Sequence, residues 1–306
     1  MECVPNFSEG RDKEIIRQIA DAIGSVDDVK VLNVDPGADA NRTVITFAGE
    51  PEAVSEAAFR GVKAASELID MSCHQGTHPR IGATDVLPFV PVNGITLEEC
   101  AAMARQLGRR MADELGIPVY LYEAAALRPK FRNLAVCRAG EYEAISQKLT
   151  TPGEEPDFGA RPVDETIRRS GISVVGARDF LIAVNFNLAT ISTEIATAIA
   201  REVRERGYQG RPGTLKCVKA IGWYIPEYGF AQVSCNLTNI HVTTLRQLFD
   251  EVSRVALVHG TRVTGTEIIG LVPEEALFPD AVNIMGLDQL RPFRMEEKVI
   301  EYVLNK

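Results

Sequence analysis

Lys216-Cys217-Val218-Lys219-Ala220-Ile221-Gly222-Trp223-Tyr224-Ile225-Pro226-Glu227-Tyr228-Gly229-Phe230-Ala231-Gln232-Val233-Ser234-Cys235-Asn236-Leu237 reads as a strand, a short turn and a second strand. Gly229, between the two apolar runs, suggests a hairpin, because tight connections between antiparallel strands favour glycine. Upstream, residues 180–188 read as a strand and 193–206 as a helix. Downstream, residues 244–259 read as a helix, 267–272 as a last short strand, and 296–304 as an amphipathic helix docked on this second unit. Pairs of strands thus alternate with single helices, which favours antiparallel or mixed sheets over a fully parallel doubly wound one.

The first half mixes the same ingredients. Ile15, Ile16, Ile19, Ala20 and Ile23 follow helical spacing over residues 12–23. Residues 29–35 form a strand that Pro36-Gly37 ends in a turn, and residues 42–48 alternate as a second strand. Pro51 falls in the first turn of a helix running to about residue 69, where proline is tolerated. Thr96 caps a further helix with Glu98 and Glu99 in its first turn, and Gly116 and Pro118 close it before the strand Pro118-Val119-Tyr120-Leu121-Tyr122. Arg138-Ala139-Gly140-Glu141-Tyr142 opens a short helix, and residues 150–162, rich in Pro, Gly, Asp and Glu, read as a connector rather than core. A second unit starts near Val174. The expected fold is α/β of the α+β type with two subdomains, residues 1–176 and 177–306, each a mixed or antiparallel sheet with helices on one face.

Within the first half lies the segment that holds two of the four histidines, Cys73-His74-Gln75-Gly76-Thr77-His78-Pro79-Arg80-Ile81-Gly82-Ala83-Thr84-Asp85-Val86. Pro79 discourages a helical conformation at His78, and Gly76 and Gly82 permit angles other residues avoid. The strand that follows, through Val92, carries Pro88 and Pro91, which suit strand ends or an edge. A titratable ring on a stiff loop beside a buried strand is a common way to place a catalytic group. His74 and His78 have the spacing of a helical metal motif, but no Glu lies between them and the loop is not helical. A structural ring N–H to a backbone carbonyl is the leading reading for His74. For His78 it stands beside general acid–base work, which imidazole suits near neutrality. Asp35, at the edge of its strand, either caps a turn or contributes a functional carboxylate, and Asn41-Arg42 is either a turn and a surface cation or part of a site.

The chain has 306 residues, 45% hydrophobic and 25% charged, ordinary proportions for a globular protein large enough for two units. A net charge of −9 argues against general nucleic-acid binding, though a local basic pocket still suits a small anion. No apolar run reaches bilayer length and the N-terminus has no leader pattern, so a cytoplasmic protein is expected. The six scattered cysteines lack a C-x-x-C pair and read as reduced packing thiols. Dinucleotide, P-loop and G-x-S-x-G signatures are absent from the sequence. Residue chemistry alone stops at a cytosolic α+β enzyme with a histidine acid–base.

Several stretches in order resemble one family. They are Glu2-Cys3-Val4-Pro5-Asn6-Phe7-Ser8-Glu9-Gly10, Asp35 with Asn41-Arg42-Thr43-Val44, Leu68-Ile69-Asp70-Met71, and His78-Pro79-Arg80 with Asp85-Val86 and Pro88-Phe89-Val90-Pro91-Val92. Val119-Tyr120-Leu121-Tyr122, Arg138-Ala139-Gly140-Glu141-Tyr142-Glu143, Pro156-Asp157-Phe158-Gly159, Ala220-Ile221-Gly222-Trp223-Tyr224 and Gly270-Leu271-Val272-Pro273 complete the set. Each alone is weak, and the ordered set is specific. It is similar to glutamate formimidoyltransferase, including the first half of the bifunctional formiminotransferase–cyclodeaminase.

The resemblance implies two α/β subdomains with tetrahydrofolate, as co-substrate, in a tunnel between them. It implies transfer of a formimino group from N-formiminoglutamate to N5 of tetrahydrofolate, with release of glutamate, in histidine breakdown. It places a catalytic histidine on His78 and an active-site aspartate on Asp35. It places folate contacts on a stretch beginning at Gly159, here Gly159-Ala160-Arg161-Pro162-Val163, which after Gly159 departs from the vertebrate pattern. Both substrates carry carboxylates, which guanidinium groups match bidentately, so Arg42, Arg80 and Arg138, with Asn41, are the substrate-binding candidates. The reaction requires no metal and no covalent intermediate, the partners are small molecules, and a homodimer is compatible with the sequence. No cyclodeaminase domain follows, so that second activity is not expected. Formyl transfer from 5-formyltetrahydrofolate and non-catalytic folate binding are the alternatives.

Overall fold

Local signals set where the helices of the first unit begin. Asp12 accepts hydrogen bonds from the backbone N–H groups of Glu14 and Ile15 and caps α1, Lys13–Gly24, whose Ile16, Ile19 and Ile23 turn inward. Thr96 and Glu99 form a reciprocal capping box at the start of α3, Leu97–Leu115, and left-handed Gly116 ends it, as the sequence indicates. Between them α2 spans Pro51–Leu68 with proline at its first position. The computed structural model describes residues 1–304, and the chain divides into two compact units, Met1–Arg178 and Asp179–Lys306.

The first unit is built on a seven-stranded mixed sheet. Its strands are β1 (Glu2–Cys3), β2 (Asn6–Phe7), β3 (Val29–Gly37), β4 (Arg42–Gly49), β5 (Thr84–Val90), β6 (Val119–Glu123) and β7 (Ser173–Ala177), in the order β1-β4-β2-β5-β7-β6 with β3 on the outer side of β4. β1 and β2 are two pieces of one N-terminal strand threaded between β4 and β5, antiparallel to both and interrupted at Val4-Pro5. That interruption explains Pro88, which lies inside a central strand instead of at an end or edge. Its carbonyl accepts from Val4, so its missing N–H would have pointed at the same gap. Pro36-Gly37 likewise continue β3, paired with Thr43 and Arg42, and the turn moves to residues 38–41. An edge strand tolerates the absent donor.

β5, β7 and β6 run parallel. Parallel strands are ordinarily covered on both faces, and here they are. Leu87, Leu121 and Val175 join the core under α1 to α3. On the other face Val86, Tyr120 and Val174 meet Phe131, Cys137, Ile145 and Ile167, carried by a short turn of helix and by α4 (Leu134–Cys137), α5 (Ile145–Thr150) and α6 (Glu165–Ser170). Helices therefore lie on both sides at this end of the sheet. Val174 belongs to the first unit, not the start of the second. Residues 150–162 also depart from the expected connector: Asp157, with 4% of its side chain exposed, accepts from the Leu121 N–H and from Arg128, and Phe158 bridges to Val119. The segment seals the β6 edge because a buried carboxylate there has two donors to satisfy it.

The second unit is a four-stranded antiparallel sheet in the order β11-β8-β10-β9, from β8 (Ile182–Leu188), β9 (Val218–Ile225), β10 (Phe230–Leu237) and β11 (Val263–Ile269). The hairpin closes with Phe230 opposite Ile225 and Gly229 at φ +72°. Helices α7 (Thr193–Val203) and α8 (Leu245–Val258) supply Ile199, Val203, Leu248 and Val252 to a core with Val184, Phe186, Val233 and Cys235. Gly222 lets α7 approach β9, since a Cβ there would stand 2.2 Å from the Thr197 nitrogen. β11 begins earlier than the expected 267–272, and Val272 instead bridges to Val299. That buried bridge splits the expected terminal helix into Met295–Lys298 and Ile300–Leu304. No described helix is long and apolar enough to cross a membrane.

Candidate active site

The segment between α2 and β5 is seated on the turn that joins β3 to β4. Gly76 is pressed so closely that a Cβ would lie 2.2 Å from the Ala40 carbonyl oxygen. The Thr77 N–H donates to the Asp39 carbonyl at 3.0 Å. Asn41, at φ +46°, donates through Nδ2 to the Gln75 carbonyl at 3.0 Å and accepts from the Gly10 N–H at 3.0 Å. Asparagine is among the few residues that adopt such an angle readily. Its side chain, expected to bind substrate, is thus engaged in holding backbone. At the other end of the loop the Ile81 N–H donates to Asp85 Oδ1 at 2.9 Å, and the Arg80 carbonyl accepts from Tyr142 at 3.0 Å.

The two histidines part company on this frame. His74 is buried with Nε2 2.8 Å from the Asn41 carbonyl oxygen. A carbonyl only accepts, so the ring donates there, the structural arrangement favoured for it on sequence grounds. His78 keeps part of its surface exposed and donates from Nδ1 to the Pro79 carbonyl at 2.8 Å. That bond selects the tautomer in which Nε2 is the basic nitrogen. Burial lowers the proton affinity of His78 well below the ordinary histidine value, and the cationic Arg42 and Arg138 lower it further. The lowered affinity favours the neutral ring near pH 7.

Those arginines converge on one carboxylate. Asp85 is fully buried, and its Oδ2 accepts from Arg42 Nη1 at 2.5 Å and from Arg138 Nη2 at 2.6 Å. Burial alone would raise the Asp85 carboxyl, but Arg138 and then Arg42 outweigh it and hold it below its usual range. Arg42 also donates through Nε to Asn6 Oδ1 at 3.0 Å, and Arg138 Nε is buried with no hydrogen-bond partner among the described residues. Sequence reasoning placed Asp85 in a strand and gave it no role at the site. The available signal was a carboxylate inside a buried apolar strand, which must be paired to be tolerated.

The remaining sequence-derived residues divide. Asp35 lies on β3 opposite Val44, on the sheet face that Val44 shares with Arg42, and is buried. Arg80 is taken up by acidic partners: it meets Glu143 at 2.7 and 2.8 Å and Glu141 at 3.2 Å, with Tyr142 5.9 Å beneath it. Its guanidinium fastens the loop to residues 141–143. Gly159, at φ +70°, packs against Ala112 and Pro118 beside the end of α3; Arg161 pairs with Asp164, and Val163 is exposed. Among the described residues no hydrogen bond or ion pair joins Gly159, Ala160, Arg161, Pro162 or Val163 to the cluster around Asp85. So Arg42 and Arg138 meet on Asp85, His78 lies within their electrostatic reach, and Asp35 shares a face with Arg42.

A family model described as the formiminotransferase domain, N-terminal subdomain, matches residues 1–178, and one described as the formiminotransferase domain matches residues 183–281. The chain is 44% identical over 326 residues to formimidoyltransferase-cyclodeaminase of Mus musculus, an alignment covering 99% of this chain and 60% of that protein. It spans about 60% of the length of that bifunctional relative. It is 42% identical to glutamate formimidoyltransferase of Thermoplasma acidophilum, over 100% of this chain and 98% of the relative. With the enzyme of that name from Streptococcus pyogenes serotype M1 it shares 40% identity over 98% and 97% of the two chains. Two domain models in sequence order, together with relatives aligned end to end, establish that this chain belongs to the formiminotransferase family.

Proposed function

We propose that the chain transfers the formimino group of N-formimino-L-glutamate to N5 of tetrahydrofolate, giving 5-formiminotetrahydrofolate and L-glutamate. The observation that carries this reading is a histidine whose Nδ1 is tied to the Pro79 carbonyl, leaving Nε2 as the basic nitrogen, within the field of two guanidinium groups that share one buried carboxylate. The names of its relatives, glutamate formimidoyltransferase among them, support the same chemistry. N5 attacks the amidine carbon and a tetrahedral intermediate forms. His78 takes the N5 proton through Nε2 and returns a proton to the glutamate nitrogen, whose bond to carbon then breaks. One imidazole at one place serves both transfers. Arg42 and Arg138 supply the positive field for substrate carboxylates, and Asp35 is the carboxylate that orients the cationic formimino group. Tetrahydrofolate enters as co-substrate, with Gly159 and the residues after it as its contact stretch.

The test is glutamate release from formiminoglutamate by pure protein, with and without tetrahydrofolate. Folate-dependent release together with 5-formiminotetrahydrofolate is expected. Release that ignores folate would mean a hydrolase and would remove the reading, as would folate binding without turnover of this donor.

A further inference from the structure

We propose that Asp85 is a positioning residue for this site: one buried carboxylate, re-aimed by a bulge in β5, ties Arg42, Arg138 and the His78 loop into a single unit. The inference rests on the transferase reading for its catalytic consequence and on geometry alone for the clamp. Between β2 and β5, Asn6 pairs with Val86 while the next residue, Phe7, pairs with Thr84, so Asp85 is an extra residue in its strand. Strict alternation would place Asp85 on the side of Leu87 and Phe89, inside the helix-covered apolar core. A bulge turns the added residue out of that alternation, a device common beside active sites. Both of its oxygens are then engaged. Oδ2 holds Arg42 from β4 and Arg138 from the segment after α4, and Oδ1 holds the Ile81 N–H, three residues beyond His78.

Three elements distant in sequence meet on one side chain. Without it the buried guanidinium of Arg42 and the largely covered one of Arg138 would face each other with this carboxylate gone, and like charges drive apart. Charged groups acting on His78 from neighbouring elements include the cations Arg42 and Arg138 and the anion Asp85. On its own loop Arg80 is neutralised by Glu141 and Glu143, and His74 is held by the Asn41 carbonyl. Asp85 is the anion of the set. Removing it takes an anion away and makes the field at His78 more positive, whereas removing Arg138 relieves the ring of one cation.

The two substitutions therefore move His78 in opposite directions, which a merely structural role would not do. Proton NMR of the imidazole Cε1–H resonances, with His78 assigned by its loss in His78→Ala, follows the titration without any substrate. The His78 midpoint is expected to fall in Asp85→Asn and to rise in Arg138→Met. Shifts in the same direction, or neither variant departing from the parent, would overturn the clamp whether or not the protein is a transferase. If Asp85→Asn fails to fold, Arg138→Met and Arg42→Met must each still raise the midpoint, and an unmoved value in both overturns it. With folate-dependent turnover in hand, Asp85→Asn should also lose about tenfold or more in kcat/KM at a pH where His78 is neutral in every variant. Parent-level kcat/KM there would remove the positioning role while leaving the transferase reading intact.

Discussion

Replacing Gly76 with alanine tests whether the seat of the histidine loop sets the chemistry. The new Cβ would stand 2.2 Å from the Ala40 carbonyl oxygen and 2.9 Å from Asn41 Cβ. The first is a backbone atom that cannot rotate away, and real Cβ contacts do not fall below 3.0 Å, so the loop must rise by about 0.8 Å or more. Gly76 itself has no left-handed angle, so the contact and not the backbone conformation is the cause. Two residues on lies His78, whose loop is tied to the same turn through Thr77 and Asn41. A displacement of about 1 Å of a catalytic group can cost about a hundredfold in rate, and overpacking about 1–3 kcal/mol of stability. Gly76→Ala should therefore fold, melt lower, and show kcat/KM for folate-dependent glutamate release reduced about 10- to 100-fold. Gly94→Ala is the comparison. At φ +69° in open space it strains the backbone without touching the site, so it should lose stability and keep activity. A folded Gly76→Ala protein with parent kcat/KM would refute the claim that this seat places His78.

His78→Ala should lower kcat about 10²- to 10⁴-fold while leaving tetrahydrofolate binding measurable by fluorescence titration; undiminished turnover would exclude His78 from proton transfer. Burial lowers the proton affinity of both His74 and His78, so as pH falls through about 6.5 the unfolded chain binds protons that the folded chain refuses. Asp85, held low by its arginines once burial is overcome, acts in the same sense at more acid pH. The melting temperature should accordingly fall between pH 7 and pH 5, and a constant or rising value would contradict the lowered proton affinity of the two rings. Asp12→Ala removes the acceptor for two N–H groups of α1 and should cost about 1 kcal/mol in a urea melt with activity unchanged. No loss in that melt would mean the cap contributes nothing.

How much was legible in advance follows from the range of each signal. Caps and apolar spacing are local, and α1 stands where its isoleucine spacing puts it and α3 starts where Thr96 indicates. The β9–β10 hairpin is local too, with Gly229 marking it. Local reading failed where a distant partner decides. Pro36 looks like a strand terminator, yet it continues β3 because an edge strand needs no donor on its open side. Residues 150–162 have a connector's composition, yet Asp157 finds its donors in Leu121 and Arg128 and binds the segment to β6. Residues 296–304 have helical amphipathicity, but Val272 pairs with Val299 and splits the helix.

By itself, the sequence determined the element types, the mixed α/β class with two sheets, the family, and the identity of a histidine loop with arginines nearby. These depend on residue chemistry, on spacing within one element, and on ordered motifs. Only the tertiary structure decided which of those groups meet. β7 enters between β5 and β6 although those strands precede it in the chain, and a one-residue slip at Asp85 turns a carboxylate out of the apolar core onto Arg42 and Arg138. The same tertiary choices withdrew Arg80 and Asn41 into holding the loop. Strand registers and buried ion pairs join residues 43 and 53 positions apart, at distances where no local propensity acts. They are settled when the whole core closes and each buried charge must find its partner.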